Sequence, residues 1–466
     1  MSLNVLNKGR RKTVALIWAL AWPTMLEQLL QTAVQYIDTA MVGALGTAAT
    51  AAVGSTTTVN WLVMGSVGAL GVGFLAYIAK ALGAGDEQRA RRACGQAVLA
   101  VLLIGSLYTV ITVSLSPFVP TWMQVDKPLR SLASQYFMIL YLPMLPRAAT
   151  SIFGTVLRAA GDTKTPLKAG IAVNIINTVL NFFLIFPTRS VTLFSYEFTV
   201  IGAGGGVIGA AVASAIAFLV GGVAITVALY RHPLISPRGQ SLRPDATILR
   251  PCLRVALPNM LQNFVTSLGY VTFAGMVNSL GGISTAAHNI ANTVESLFYI
   301  PGYGMKTASA TLAGNAYGAG DGKRMREISR TLIPIEIFLM ILSGGALFVS
   351  APVLMGLFSK DATVISLGAT VLRMVALSEP FFGFSIIVEG LMQGVGQTKT
   401  PFVYNIIGMW GVRIVGTFLC VVVGDMGLVA AWACMISHNI LLFLLFLVNF
   451  IRGKWNPLRD ASEKSS

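Results

Sequence analysis

The chain has 466 residues, 55% of them hydrophobic and 11% charged, whereas a soluble domain carries roughly 25% charged residues. This excludes a soluble enzyme or scaffold and indicates an integral membrane protein. The formal charge of +15 would suit a nucleic-acid partner, but the basic residues sit in short breaks between apolar runs, so no nucleic acid is expected.

Apolar runs of about 20 residues or more are long enough to cross a bilayer. They predict an all-α protein of twelve transmembrane helices near 14–40, 47–79, 93–115, 131–156, 167–187, 201–229, 251–276, 284–312, 328–350, 363–391, 402–423 and 427–450. Lys8, Arg10, Arg11 and Lys12 precede the first. That span is too long, and too polar on one face, for a cleaved signal peptide, so it reads as a permanent helix.

Span 1 carries Thr24, Gln28, Gln31, Gln35 and Asp38 at steps of three and four, the spacing that stacks side chains on one helix face. Hydrocarbon offers such groups no partners, so the stripe must face protein or a water-filled cavity. Gln31, Gln35 and Tyr36 are candidate walls of that cavity. Asp38 lies some 25 positions beyond Lys12, roughly 37 Å along a helix, which leaves a rim position as the bland alternative. A tilted helix brings it back into the outer half, where a carboxylate held away from bulk water can exchange a proton or bind Na⁺. Glu27 points off the stripe and carries no assignment.

In span 5, Asn174, Asn177 and Asn181 converge on one face, as ion or substrate contacts or as interhelical glue. Span 8 repeats the pattern with His288, Asn292, Glu295 and Tyr299, a substrate or ion contact or a structural network. For Glu379, Glu389, Arg147, Arg373 and Arg413 a structural role is at least as well supported. Cys94, Cys252, Cys420 and Cys434 are scattered without CxxC or metal spacing, and read as reduced structural thiols.

With the amino terminus inside, and span ends set only to within about four residues, the termini and even-numbered breaks hold 25 of the 33 Lys and Arg residues. The opposite side holds Lys127, Arg130, Arg189 and Lys360, while Arg147, Lys306, Arg373 and Arg413 fall within spans. This asymmetry places both termini in the cytoplasm and the chain in the cell (inner) membrane.

The sequence also repeats itself. AWPTML at 21–26 returns as ALPNML at 256–261, GAGD at 83–86 as GAGD at 318–321, and AAGDTKTP at 159–166 as GVGQTKTP at 394–401, all at an offset of 235. One common offset indicates duplication. Six spans per copy return the chain to its starting side, so two six-helix lobes share one orientation about a pseudo-two-fold axis along the membrane normal. The lobes are 1–230 and 251–466, joined by a cytoplasmic linker at 231–250. Under the offset, Gln28 maps to Asn263 and Gln35 to Tyr270, so span 7 keeps a polar stripe with Asn263 and Tyr270 as candidate cavity contacts. Asp38 maps to Phe273, and the acid is private to the first lobe.

Four blocks carry a resemblance to a known family: WPTMLEQLLQTAVQYIDTAMVG in span 1, AKALGAGDEQRARRA with its echo at 318–326, VLRAAGDTKTP and LMQGVGQTKTP. In this order and spacing the chain resembles the multidrug and toxic compound extrusion (MATE) transporters over nearly its whole length. The resemblance implies efflux of small organic, cationic or amphipathic compounds by alternating access, driven by H⁺ or Na⁺, by a monomer with no cofactor and no metal beyond Na⁺ at Asp38. The family's span 1 aspartate falls on Asp38. In its DinF-like branch a span 5 Asn falls on Asn177, the following Asp on Asn181, and a span 6 Thr on Ser214. Asn181 in place of Asp removes one carboxylate and puts the ion and its stoichiometry in doubt. The NorM-like branch uses second-lobe acids that are missing here, span 7 having none and Phe382 standing at the span 10 position, so the chain looks more DinF-like.

The rival transporter is a flippase for a lipid-linked saccharide, which would want a basic cavity. A membrane enzyme would need a catalytic constellation, and no HExxH, nucleotide loop or DDxxD is present. A channel would show no concentrative transport.

Overall fold

The computed structural model describes residues 10–54, 56–193 and 196–459. Lys8 and Lys464, which enter the charge asymmetry, lie outside them. In the first half α1 is Arg10–Gly43, α2 Thr47–Gly54, α3 Thr57–Gly83, α4 Glu87–Leu115, α5 Val119–Trp122, α6 Arg130–Tyr141, α7 Met144–Ala159, α8 Lys164–Leu184 and α9 Gly206–Arg231. The second half continues with α10 Ala246–Asn278, α11 Gly282–Phe298, α12 Ile300–Gly318, α13 Gly322–Phe358, α14 Ala362–Ala376, α15 Glu379–Gly394, α16 Lys399–Ile406, α17 Val415–Thr417 and α18 Leu428–Ile451. Two π-helical stretches, Ile407–Ile414 and Phe418–Val423, flank α17.

Among the described residues, eight helices are long and apolar enough to cross a membrane, and two bent pairs raise the number to ten. The other two crossings are α10 and the α11–α12 pair, whose polar residues (Asn259, Gln262 and Asn263; His288, Asn292 and Glu295) dilute their hydropathy. Both bends obey the repeat. Residues 130–159 bend by 49° at Leu142–Pro143, and 362–394 by 51° at Leu377–Ser378, just before Pro380, where missing amide hydrogens interrupt the ladder.

One element departs from the predicted spans. Between α8 and α9 the chain forms an antiparallel hairpin, β1 Pro187–Leu193 and β2 Tyr196–Ala203. Span 5 therefore stops at Leu184 rather than 187, and span 6 starts at Gly206 rather than 201. The β-branched and aromatic residues of TRSVTLFSYEFTVI favour extended pairing over helix; most of them fall in the break expected between spans 5 and 6, and only Pro187 and residues 201–203 change from helix to strand.

The duplication is visible in backbone detail. Asp86 caps α4 by accepting from Arg89 N at 2.8 Å, and Asp321 caps α13 by accepting from Arg324 N at 2.9 Å, leaving fewer unpaired amides at each helix start. Gly161 and Gly396 turn with φ of 83° and 84°, a region open to glycine. Pro23 and Pro258 both sit inside the first helix of their lobe.

The lobes meet on the side of the termini. There a Cβ on Gly83 would lie 2.0 Å from Asn315 O, and one on Gly318 would lie 1.9 Å from Lys80 O. Gly83 and Gly318 correspond under the offset, as do Lys80 and Asn315, so this is one self-complementary contact seen from both sides of the pseudo-two-fold axis. Small residues let the α3 and α12 backbones touch. The start of α1 also packs across the seam, Ile17, Leu20 and Ala21 joining the core of α12, α13 and α15, and Ile248 and Cys252 of α10 join the first lobe's core in return. The linker is strapped to the first lobe: Gln96 Nε2 donates to Arg243 O at 2.8 Å, and Gln96 Oε1 accepts from Asp245 N at 3.0 Å.

Candidate functional site

Asp38 lies five residues before the end of α1, on the side away from the termini. Facing it, α8 presents Asn177 and Asn181 one turn apart, both buried. The Gly- and Ala-rich face of α9, GVIGAAVAS, lets α8 approach closely and brings Ser214 beside Asn177. Asn181 Nδ2 donates to Asp38 Oδ1 at 2.6 Å. The Asn177 amide can take two orientations, of which the one with Nδ2 toward Asp38 fits the ionised carboxylate better. With Nδ2 toward Asp38 it lies 2.8 Å from Oδ1 and 3.1 Å from Oδ2, while Oδ1 accepts from Ser214 Oγ at 3.0 Å. Turned over, Nδ2 donates to Ser214 Oγ at 3.0 Å and Oδ1 accepts from Asn181 Nδ2 at 3.2 Å, which sets an amide oxygen against the carboxyl group. The first arrangement suits a carboxylate, the second a protonated acid that donates.

The four residues assigned to ion coupling, Asp38, Asn177, Asn181 and Ser214, are thus brought together. Asn174 is half-buried further along α8, and its amide nitrogen has no hydrogen-bond partner. Gln31 and Gln35 are exposed, Gln31 Nε2 reaching Glu27 Oε1 at 3.5 Å. Tyr36 OH crosses to the second lobe and donates to Thr293 O at 3.3 Å. Thr24, at the other end of the stripe, is buried and bonds back to Leu20 O.

In the second lobe the candidates separate. Asn263 Nδ2 is committed to Gly65 O at 3.1 Å, a bond across the seam. Tyr270 is half-exposed, its ring under the Arg413 guanidinium at 4.8 Å. His288 is buried between Phe273 and Trp432, and Glu295 is buried and accepts from Tyr299 OH. Asn292 is exposed. Neither His288 nor Glu295 joins the Asp38 cluster.

Several charged groups missed by periodicity come together only in three dimensions. Glu27, unassigned from the sequence, pairs with Arg158 of α7 at 2.5 Å, and Thr311 of the second lobe donates to Arg158 O at 3.3 Å. Glu389 meets Lys306 Nζ at 3.1 Å and accepts from Gln262 Nε2 at 2.9 Å and Gln393 Nε2 at 3.1 Å. Glu336 and Glu379 are fully buried with no hydrogen-bond partner. Arg147 donates to Asn60 Oδ1 at 2.7 Å and stacks on Tyr141 and Phe218. Arg413 stacks on Phe273 at 4.2 Å, and Arg373 lies over Phe348. The three arginines are therefore spent on rings and carbonyls and do not line a common basic cavity. Long-range partners of this kind leave no periodic signal along the chain.

Among the described residues no cluster of three or more His, Cys, Asp or Glu side chains could hold a metal ion. A cavity of about 350 Å³ lies on the α3–α10 seam, walled by Leu62, Val63, Met260, Leu261 and Phe264, with the Ser66–Tyr108 hydroxyl pair as its polar handle.

A family model described as MatE matches residues 23–183 and 258–419. A probable multidrug resistance protein NorM of Thermotoga maritima is 27% identical over 94% of this chain and 92% of its own length. The probable multidrug resistance protein YoeA of Bacillus subtilis is 25% identical over 85% of this chain and 84% of its own. Among solved structures, an outward-facing multidrug resistance MATE family transporter of the MOP superfamily matches with a TM-score of 0.88 at 22% identity, covering 98% of this chain and 99% of that one. A MOP superfamily transporter from Pyrococcus furiosus gives 0.87 at 21% identity, covering 98% of each. At these identities the solved structures establish the fold, twelve transmembrane helices in two lobes.

Proposed function

The chain belongs to the MatE family, and on that premise we propose that it couples export of organic compounds to proton entry at Asp38. It is a multi-pass membrane transporter, a secondary antiporter of drugs or metabolites rather than an enzyme. The substrates are cationic or amphipathic and bind between the lobes, 1–230 and 251–466, of a monomer in the cell membrane with both termini cytoplasmic.

One observation carries the choice of ion. Asp38 is faced by amide nitrogens, from Asn181 at 2.6 Å and from Asn177 in one orientation. Na⁺ needs oxygen ligands, so both amides would have to rotate to hold it; a proton needs only Asn177 to turn over. Protonation replaces an N–H donor at Asp38 with an amide oxygen acceptor and hands the Asn177 nitrogen to Ser214. The contacts of α8 with α1 and with α9 then differ between the two charge states, which is what a coupling ion requires: it shifts an equilibrium only by its differential affinity. This amide-rich surround supports the DinF-like reading.

The saccharide flippase loses its main support, because Arg147, Arg373 and Arg413 are engaged elsewhere. The deciding experiment is uptake of a fluorescent cationic dye into inverted vesicles under separately imposed ΔpH and Na⁺ gradients. Uptake under ΔpH alone is expected, abolished in Asp38→Asn. Uptake driven only by Na⁺ would overturn the choice of ion, and wild-type uptake by Asp38→Asn would overturn the site.

A further inference from the structure

Two of the four cysteines, 14 residues apart, meet in the fold. Cys420 lies in the π-helical stretch Phe418–Val423 and Cys434 in the second turn of α18, with their Sγ atoms 4.0 Å apart. Both side chains are half-buried, whereas Cys94 and Cys252 are buried in the first lobe's core.

The contact is built into the backbone. Gly416 precedes Cys420 by one turn, and a Cβ there would lie 3.1 Å from Cys434 Sγ. Cys434 thus occupies the notch that Gly416 leaves on the same face as Cys420. The turn between the helices is held by Gly424 N to Leu419 O and Met426 N to Cys420 O, both at 2.9 Å, and by Asp425 at φ 50°.

A disulfide needs an S–S distance of about 2.05 Å, so the sulfurs, now 4.0 Å apart, must close by about 2 Å, a shift on the scale of a side-chain rotation. The turn lies opposite the termini. At 1.5 Å per residue Cys420 is about 5 Å, and Cys434 about 9 Å, from the helix ends flanking it. If the termini are cytoplasmic, as proposed above, the pair faces the oxidising compartment.

We propose that Cys420 and Cys434 are a redox-switchable disulfide site at the outer end of the second lobe, oxidised by thiol–disulfide exchange with an external disulfide carrier. One thiolate attacks the carrier disulfide, forming a mixed disulfide and releasing one carrier thiol. The second cysteine then attacks the protein sulfur and displaces the other carrier thiol. Two electrons and two protons pass to the carrier, and one S–S bond is made for one broken. The bridge staples the π-helical end of the eleventh crossing to α18. The first lobe cannot be stapled in this way, because Ile185 stands at the position matching Cys420 and α9, the helix that matches α18, carries no cysteine.

The test uses the full chain in detergent with dithiodipyridine, an aromatic disulfide that reaches membrane-embedded thiols. The expected product has lost two hydrogens, carries no adduct, yields a Cys420–Cys434 cross-linked peptide and melts several degrees higher. Cys420→Ser and Cys434→Ser should each retain one pyridyl adduct instead. Two stable adducts on the wild type, or an unmodified mass, would overturn the pair. Detergent removes sidedness, so orientation is read separately: Asp425→Cys in a Cys420→Ser/Cys434→Ser background should react with an impermeant maleimide in right-side-out vesicles, and labelling only in inverted vesicles would overturn the orientation while leaving the pair intact.

Discussion

The two lobes agree where geometry must be preserved and differ where charge is placed. The caps Asp86 and Asp321, the turns at Gly161 and Gly396 and the prolines Pro23 and Pro258 repeat at one offset. The polar interior does not. Asp38 corresponds to Phe273, which packs under Arg413; Asn177 corresponds to Val412, and Asn181 to Gly416. The ion pair Glu27–Arg158 corresponds to Gln262 and Gln393, two amides that donate to Glu389. Glu389 and its partner Lys306 in turn stand where the first lobe has Gly154 and Gly71. Each lobe therefore keeps one charge pair in the half nearer the termini, built from different helices, but the outer half holds an amide-bonded acid, Asp38, in the first lobe and His288, Glu295 and Arg413 in the second. Both pairs are internal to their lobes, so parting the seam strands no charge.

The sharpest way to break this comparison is to make the lobes alike at Asp38. Asp38→Asn keeps a hydrogen-bonding group of the same shape but cannot change charge, and gradient-driven dye uptake should fall to the no-gradient level while the protein remains folded. Phe273→Leu, the matching change in the second lobe, should leave ΔpH-driven uptake within a few-fold of wild type. Loss of coupling in both would erase the distinction.

Next in size is the first lobe's ion pair. Glu27→Gln strands a largely buried guanidinium, which costs about 3 kcal/mol, read from denaturation in detergent. The double change Glu27→Gln/Arg158→Gln copies the second lobe's Gln262 and Gln393 and should recover most of that loss. If the double variant is as unstable as the sum of its singles, the pair is not a coupled unit. Lys306→Met should cost less, about 1.5 kcal/mol, because Glu389 keeps its two amide donors. An effect larger than that of Glu27→Gln would reverse the ranking of the pairs.

The sequence was legible to the extent that its signals are periodic or repeated. Apolar length located the crossings, the offset of 235 paired the lobes, and steps of three and four put Asn177 and Asn181 on one face, but it was the resemblance to the MATE family that joined them and Ser214 to Asp38. The hairpin at 187–203 falls in the break between spans 5 and 6, where apolar length says nothing of strand pairing and only the hairpin's ends overlap the predicted helices. Glu27 with Arg158, and Cys420 with Cys434, depend on which helix becomes whose neighbour. Nothing along the chain records that Gly416 leaves a notch for Cys434 or that Arg158 lies beside α1, since contacts between crossings are set by packing and not by local pattern.

The smallest effect tests the symmetric part of the comparison. Asp86 and Asp321 each accept one backbone amide at a helix start, at 2.8 and 2.9 Å, and both sit at exposed turns on the side of the termini. Replacing an acidic N-cap by Ala costs about 1 kcal/mol, and the two sites share no partner, so Asp86→Ala and Asp321→Ala should be equal within error and additive. Neither should alter the pH dependence of uptake, because neither carboxylate belongs to a group whose contacts change with protonation of Asp38. Unequal losses would show that the repeated sequence no longer does the same mechanical work in both lobes, and that the divergence seen in their interiors extends to the frame.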